Sequence, residues 1–204
     1  MYLCIDTISS AAGIALASSD SGTHLPLDPQ NSSEGIIETI DEALKQTKVT
    51  LADLKGVFVI KGPGSFTGLR VGLSVANQFA HQLKIPITGL RTDQWWLART
   101  SEPDVTYLQS MNKAEVYISQ AEKSIIKNFE SLSPCTWLGH LSKEHREKLS
   151  SDFKEITTFD SIEGTWQKIV RNLADSMVEL KIYDLVEPLY GKAPNITKSK
   201  KHHP

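Results

Sequence analysis

One segment constrains the fold more than any other: VFVIKGPGSFTGLRVGLSVAN, residues 57–77. It opens with β-branched and aromatic residues, passes through Gly62, Pro63 and Gly64, and continues with helical periodicity over residues 67–83. Residues 85–89 then have the composition of a second strand. Two strands joined through a helix by short connections predict a parallel pair with a right-handed crossover, and therefore an α/β fold.

The turn between this strand and this helix resembles an anion site in composition but not in spacing. A P-loop requires GxxxxGK[ST], and no lysine and hydroxyl pair follows Gly68. The dinucleotide fingerprint requires GxGxxG, and the glycines here are one residue too far apart. A tight turn without ligand and an anion or nucleotide site both stay open. The residues expected to contact such a ligand are Asp6, Thr7, Gly62, Gly64 and Ser65.

The helix after the turn carries small residues at every fourth position, namely Gly68, Gly72, Ala76 and Ala80. They form one ridge along the helix. A glycine inside a helix costs about 1 kcal/mol relative to alanine, so this ridge indicates close approach of another element. That element is either the sheet or first helix of the same chain, or a helix of another subunit.

Residues 33–47 predict a first helix that is amphipathic, with an apolar face and acidic residues opposite it. Before it, residues 20–32 are polar and rich in proline and serine, and we interpret them as a loop. A further helix is predicted over residues 160–182.

An opening hairpin, predicted at residues 1–5 and 13–18, recurs about 100 residues later at 105–111 and 114–120. This repeat predicts two duplicated lobes, with the boundary near residue 100. We therefore expect an N-terminal lobe of residues 1–100 and a smaller C-terminal lobe of residues 101–204 with a basic tail.

Composition excludes several classes of protein. The net charge is −2 and the pI is near 6.3, so the chain lacks the basic footprint of a protein that binds nucleic acid by bulk electrostatics. Two cysteines, Cys4 and Cys135, do not form a disulfide framework. The six histidines are not spaced as metal ligands, so we expect no metal site. Without a signal peptide or an apolar run of about 20 residues, we expect a cytoplasmic protein that does not enter the membrane.

The run KGPGSFTGLRVGLSVANQFA, preceded by CIDTISSAAGIALAS, resembles the TsaB (YeaZ) family, glycoprotease-like relatives of TsaD in the actin, sugar kinase and Hsp70 superfamily. The resemblance is strongest over residues 1–90, and AEVYISQ and EPLYGKAPN resemble later landmarks of the family. It implies two duplicated actin-like (ribonuclease H-like) lobes, each a mixed sheet flanked by helices.

The resemblance also implies a function. Family members act in making N6-threonylcarbamoyladenosine at position 37 of tRNA, and TsaB binds the transferase TsaD through helices of its N-terminal lobe. It implies a heterodimer with a TsaD-like protein, a TsaE-like ATPase as a further partner, and tRNA contacted through the complex. From the apolar ridge on the second helix we also expect the chain alone to associate into a homodimer. We expect no cofactor on this chain by itself, and ATP or ADP only at the level of the complex. The expected partner interface consists of Ile36, Ile37, Ile40, Leu44, Gly68, Leu69, Gly72, Leu73, Ala76 and Ala80.

Departures from the family pattern argue against catalysis. Ser32 replaces a histidine, and Ser110, Met111 and Asn112 stand where an aspartate, an alanine and an arginine are usual. Ser65 has no placed base, so we assign no catalytic residue. Two alternatives stay open: a weak nucleotide-binding protein or ATPase of the same superfamily, and a structural homodimer unrelated to tRNA. The basic tail, with lysines at 198, 200 and 201, is either solvated or in contact with tRNA phosphates.

Overall fold

The computed structural model describes residues 1–27, 35–120, 123–177 and 184–191. The beginning of the predicted first helix, the end of the predicted last helix, Ser32 and the basic tail lie outside these residues.

Within the described residues, a first sheet contains five strands. They are β1 (Tyr2–Asp6), β2 (Gly13–Ala17), β3 (Gly22–Pro26), β4 (Gly56–Gly62) and β5 (Ile87–Arg91). The order is β3-β2-β1-β4-β5. Strand β2 runs antiparallel to both β1 and β3, whereas β1, β4 and β5 run parallel to one another. The predicted parallel pair around the second helix is thereby confirmed.

Strand β3 corrects the prediction of a loop over residues 20–32. It pairs with β2 along its whole length, and its residues are half-buried or exposed. An edge strand needs a partner on one side only, and an exposed one need not show apolar alternation. The polar composition therefore concealed the strand.

The second sheet repeats the first. Its strands in the described part of the chain are β6 (Thr106–Ser110), β7 (Glu115–Gln120), β8 (Lys123–Asn128), β9 (Thr136–His140) and β10 (Lys154–Glu155). The order β10-β9-β6-β7-β8, with β6 antiparallel to β7 and parallel to β9, has the connectivity of the first sheet. The prediction of two duplicated mixed sheets is confirmed, whereas β8, β9 and β10 were not predicted.

Five α-helices flank the sheets in the described ranges: α1 (Ile36–Thr47), α2 (Phe66–Leu83), α3 (Thr92–Ala98), α4 (Lys143–Lys148) and α5 (Ile162–Met177). Helices α1 and α2 lie on one face of the first sheet, and α3 and α5 lie on the other, which also faces the second sheet. Because both faces are covered, Leu3 and Ile5 of β1 are buried on one side and Cys4 on the other.

Helix α5 follows the second sheet in the chain but packs against β2 and β3 of the first. Trp166 of α5 lies 6.3 Å from Trp95 of α3, measured between ring centroids, in a core shared with Tyr107 and Leu138 of the second sheet. The boundary at residue 100 stays a prediction, because this helix of the second half completes the core of the first.

A buried carboxylate also joins the two sheets. Asp93, at the start of α3, is fully buried and accepts hydrogen bonds from Ser119 Oγ (2.6 Å) and Tyr117 OH (3.3 Å) of β7. Its charge is paired with Arg91, whose Nη2 lies 3.0 Å from Asp93 Oδ2. This network holds the end of β5 against the second sheet.

Candidate functional site

The turn before α2 uses its glycines for contacts within the chain. Gly62 has φ +111°, a conformation that favours glycine, and it lies directly under the Leu189 carbonyl. A Cβ on Gly64 would lie 2.6 Å from Ile8 Cδ1. Ser65 is the N-cap of α2, and its Oγ accepts from the Gly68 amide at 3.4 Å.

The ridge of α2 faces the end of β1. A Cβ on Gly68 would lie 2.5 Å from Thr7 O, and one on Gly72 would overlap Thr7 Oγ1 and lie 3.0 Å from Thr7 Cγ2. Thr7 Oγ1 donates to the Gly68 carbonyl at 2.7 Å, and Ala76 and Ala80 are buried farther along the helix. Of the two alternatives for the close neighbour of this ridge, the structure shows an element of the same chain, because Thr7 and Ile8 fill the space beside Gly68 and Gly72.

Burial corrects the expected interface in the same way. On α1 the side chains of Ile36, Ile40 and Leu44 face the sheet, whereas Ile37 is 54% exposed. An amphipathic helix presents one apolar stripe, and here the sheet takes it. The expected interface residues that are buried in this chain are Ile36, Ile40, Leu44, Leu69, Gly72, Leu73, Ala76 and Ala80.

Another apolar surface lies on the outer side of α2. Phe66 is 48% exposed, and Val71 and Val75 are half-buried. With Thr67, Arg70 and Ser74 these residues line an open groove of about 470 Å³, which we call the α2 groove. This surface was not predicted from the sequence. Val71 and Val75, one turn apart, were a signal that could have found it.

The turn after β1 satisfies the carboxylate of Asp6 internally. Asp6 Oδ1 accepts from the amides of Ile8 and Ser9, each at 3.0 Å, and Oδ2 accepts from the Ser9 hydroxyl. Burial raises the pKa of the Asp6 carboxyl, and the hydrogen bonds from Ser9 and Ile8 oppose that shift. Asp6 therefore stabilises its own turn.

Two cavities lie beside this turn. The larger, about 730 Å³, is lined by Thr7 and Ser65 together with other hydroxyl residues and His24. The smaller, about 320 Å³, is lined by Gly64 and Ser65 together with aromatic residues of α3 and β6. Of the expected ligand contacts, the structure thus places Thr7, Gly64 and Ser65 at a cavity. Among the described lining residues, Asp6 and Gly62 are at neither.

His24 lies on β3 at the wall of the larger cavity. Burial lowers the pKa of the His24 imidazole. The carboxylates of Glu163 and Asp6 oppose this shift, and the Arg99 guanidinium adds to it. The side chain is therefore held mainly in its neutral form.

The departures from the family pattern at residues 110–112 have local structural partners. Ser110 Oγ accepts from the Ser142 amide at 2.8 Å and lies 2.7 Å from His145 Nδ1. Asn112 Oδ1 accepts from the amides of Ala114 and Glu115. Ser110 therefore joins the end of β6 to the start of α4, and Asn112 braces the turn between β6 and β7. In the parts of the chain that the structure describes, no cluster of His, Cys, Asp and Glu could hold a metal ion, and no helix is long and apolar enough to cross a bilayer.

Comparison with known proteins agrees with this architecture. The solved structure of YeaZ from Pseudomonas aeruginosa superposes with a TM-score of 0.72 at 16% identity, covering 93% of this chain and 98% of that one, which shows a common fold. The family model for TsaD, tRNA N6-adenosine threonylcarbamoyltransferase, matches residues 17–133, more than half of the chain. The chain belongs to the family of TsaD and TsaB (YeaZ) proteins.

Curated members of this family support the TsaB assignment. The tRNA threonylcarbamoyladenosine biosynthesis protein TsaB of Escherichia coli is 31% identical over 91 residues, which are 44% of this chain and 39% of that protein. TsaB of Haemophilus influenzae is 27% identical over 155 residues, 76% of this chain and 58% of that protein. The chain thus spans less than two thirds of the length of these TsaB relatives.

Proposed function

We propose that this chain is a non-catalytic, cytoplasmic TsaB-like subunit in the biosynthesis of N6-threonylcarbamoyladenosine in tRNA, where it binds and supports a TsaD-like transferase. Its family membership and the names of its relatives support the pathway. The Asp6 turn supports the non-catalytic role, because the carboxylate is hydrogen-bonded by its own loop.

The single observation that carries the proposal is the α2 groove. Apolar side chains that remain exposed together on a folded chain mark an interaction surface. Phe66, Val71 and Val75 form this surface on α2, and Ile37 projects from the neighbouring helix. The partner therefore docks on the outer side of α1 and α2, and the small ridge beneath belongs to the fold.

A matched pair of variants tests the docking surface. Ile37 on α1 and Ile125 on β8 are each 54% exposed, so a change to aspartate at either position removes no core contact. Ile37→Asp is expected to weaken binding of a TsaD-like partner at least about tenfold by calorimetry, because it buries a charge in the interface. Ile125→Asp is expected to bind as the unchanged chain does. Equal affinities for the two variants would contradict the docking surface.

The pathway is tested in cells depleted of this protein. Nucleosides from total tRNA are separated and quantified by mass spectrometry, and threonylcarbamoyladenosine is expected to fall and to recover with the unchanged chain. Recovery with Ile125→Asp but not with Ile37→Asp would join the pathway to the surface. An unchanged level of the modified nucleoside after depletion would remove the assignment.

The larger cavity favours weak nucleotide binding as a second candidate function. Thr7, Ser9 and Ser65 place hydroxyl groups around a space of about 730 Å³. Titration of the isolated chain with ATP is the test, and heat of binding that is lost in Ser65→Ala would favour this candidate. If neither ATP nor ADP gave heat of binding, the subunit role would be the candidate function that remains.

A further inference from the structure

Residues 184–191, which we call the strap, return from the end of the described chain to the first sheet. The Leu189 amide donates to the Lys61 carbonyl at 2.7 Å. The side chain of Asn77 on α2 bonds both backbone groups of Val186: its Nδ2 donates to Val186 O at 3.0 Å, and its Oδ1 accepts from Val186 N at 2.9 Å. The strap therefore has a defined seat beside α2.

The surface beneath the strap is shaped for it. A Cβ on Gly62 would overlap the Leu189 carbonyl, and a Cβ on Gly89 would overlap Val186 Cγ1. Val186 packs against the same apolar core as the inner sides of α1 and α2. Larger residues at these two positions would displace the strap. Glycine at both positions therefore lets the strap backbone and the Val186 side chain pack closely on the first sheet.

The strap ends against the wall of the α2 groove. The ring of Tyr190 stacks on Phe66 with centroids 5.0 Å apart and an interplanar angle of 28°. The Arg70 guanidinium lies over the Phe66 ring at 5.6 Å. Both rings are partly exposed, with Tyr190 at 38% and Phe66 at 48%, so the stack lies at the surface. Phe66 is therefore held by a residue that lies more than a hundred positions later in the sequence.

We infer that the strap shapes the α2 groove and that Tyr190 is a positioning residue of the docking surface. With the strap seated, Tyr190 holds the Phe66 ring in place as a wall of the groove. With the strap released, the ring loses that stack and keeps the Arg70 contact, so the wall of the groove changes its position. Because Arg70 lies at the same rim, the groove fits an apolar side chain followed by a carboxylate on the partner. The consequence for partner binding rests on the proposed function, whereas the shaping of the groove does not.

The strap is first tested on the chain alone. Asn77→Ala removes both hydrogen bonds to Val186, and Tyr190→Ala removes the stack on Phe66. Gln78→Ala on the exposed side of α2 and Leu185→Ala, a 67% exposed strap residue, are the controls. Circular dichroism establishes that every variant folds.

Two measurements follow. Hydrogen exchange of the Val186 and Leu189 amides is expected to accelerate at least about tenfold in Asn77→Ala and to stay unchanged in Gln78→Ala. The methyl resonances of Val71 and Val75, which line the groove, are expected to shift in Asn77→Ala and in Tyr190→Ala but not in the controls. Unchanged exchange of the Val186 and Leu189 amides in Asn77→Ala would overturn the inference. Faster exchange of these amides would also overturn it if neither variant shifted the methyl resonances of Val71 and Val75.

Partner binding separates this inference from the proposed function. Tyr190→Ala is expected to weaken binding of the TsaD-like partner by about threefold or more relative to Leu185→Ala. Unchanged affinity in Tyr190→Ala, with the unchanged chain binding well, would overturn the positioning role alone. Failure of the unchanged chain to bind would overturn the proposed function, while the methyl shifts would still decide whether the strap shapes the groove.

Discussion

Replacing Gly72 by alanine tests whether the small ridge of α2 serves the fold or a partner. The added Cβ would overlap Thr7 Oγ1 and lie 3.0 Å from Thr7 Cγ2 and 3.2 Å from Thr7 Cβ. Gly72 is buried on the sheet side of α2 and Thr7 is 8% exposed, so the new methyl group fits only if the Thr7 side chain moves. We expect Thr7 to be displaced and its hydrogen bond to the Gly68 carbonyl to be lost.

Three terms set the size of the effect. Overpacking of this kind costs about 2 kcal/mol, and the lost hydrogen bond costs about 1 kcal/mol more. Alanine returns about 1 kcal/mol as the better helix former. The net loss is about 2 kcal/mol, which lowers Tm by roughly 4–8 °C in a chain of this length.

Thermal and urea unfolding measure this loss, with two controls. Gly164→Ala in α5 meets only Ser161 Oγ at 3.1 Å, so it is expected to be neutral or slightly stabilising. In a Thr7→Ala background Thr7 Oγ1 and Cγ2 are absent and the hydrogen bond is already lost, so Gly72→Ala is expected to cost about 3 kcal/mol less than it does alone.

A Gly72→Ala chain as stable as Gly164→Ala would refute this reasoning. It would mean that Thr7 does not pack on the ridge, and the ridge would again be available to a partner. The reasoning would also be refuted if the stability losses of Gly72→Ala and Thr7→Ala simply added in the double variant, because two residues in contact are expected to be coupled.

The buried polar groups provide three more predictions. Asp6→Asn keeps the oxygen that accepts from the turn amides and relieves a buried charge, so we expect Tm at pH 7 to be unchanged or higher, whereas Asp6→Ala is expected to lose about 2 kcal/mol. Equal losses in the two variants would contradict this. Burial lowers the pKa of His24 below its ordinary 6.5, so the unfolded chain takes up the proton first as the pH falls through 6.5, and the free energy of unfolding decreases. His24→Gln is expected to remove that part of the decrease in urea unfolding between pH 8 and 5, and an unchanged pH profile would contradict the role of His24. Asp93→Ala removes the buried acceptor of Ser119 and Tyr117 and one charge partner of Arg91, and it is expected to cost about 3 kcal/mol by urea unfolding. A loss below about 1 kcal/mol would show that this network does not join the sheets.

Strong periodicity made the central elements predictable. The run around β4, α2 and β5 has the alternation and the helical spacing of its elements, and the recurring hairpin predicted a second sheet. Of the strands that were missed, β3, β8 and β10 lie at a sheet edge, and their residues are mostly polar or half-exposed. The fourth, β9, lies next to an edge, and its apolar signal is limited to the adjacent buried residues Trp137 and Leu138. Such strands depend on a neighbour for their hydrogen bonds, and that neighbour is not visible in their own sequence.

The candidate site shows the same limit more sharply. Spacing alone determined that Gly68 and Gly72 lie on one stripe of a helix and that something approaches it closely. The tertiary structure decided that the neighbour is Thr7 of the same chain, that the exposed surface is the adjacent α2 groove, and that Tyr190 holds its wall. The physical reason is that periodicity is a property of one helix, whereas burial depends on which elements cover it, and chain topology sets that over separations of 60 to more than 100 residues.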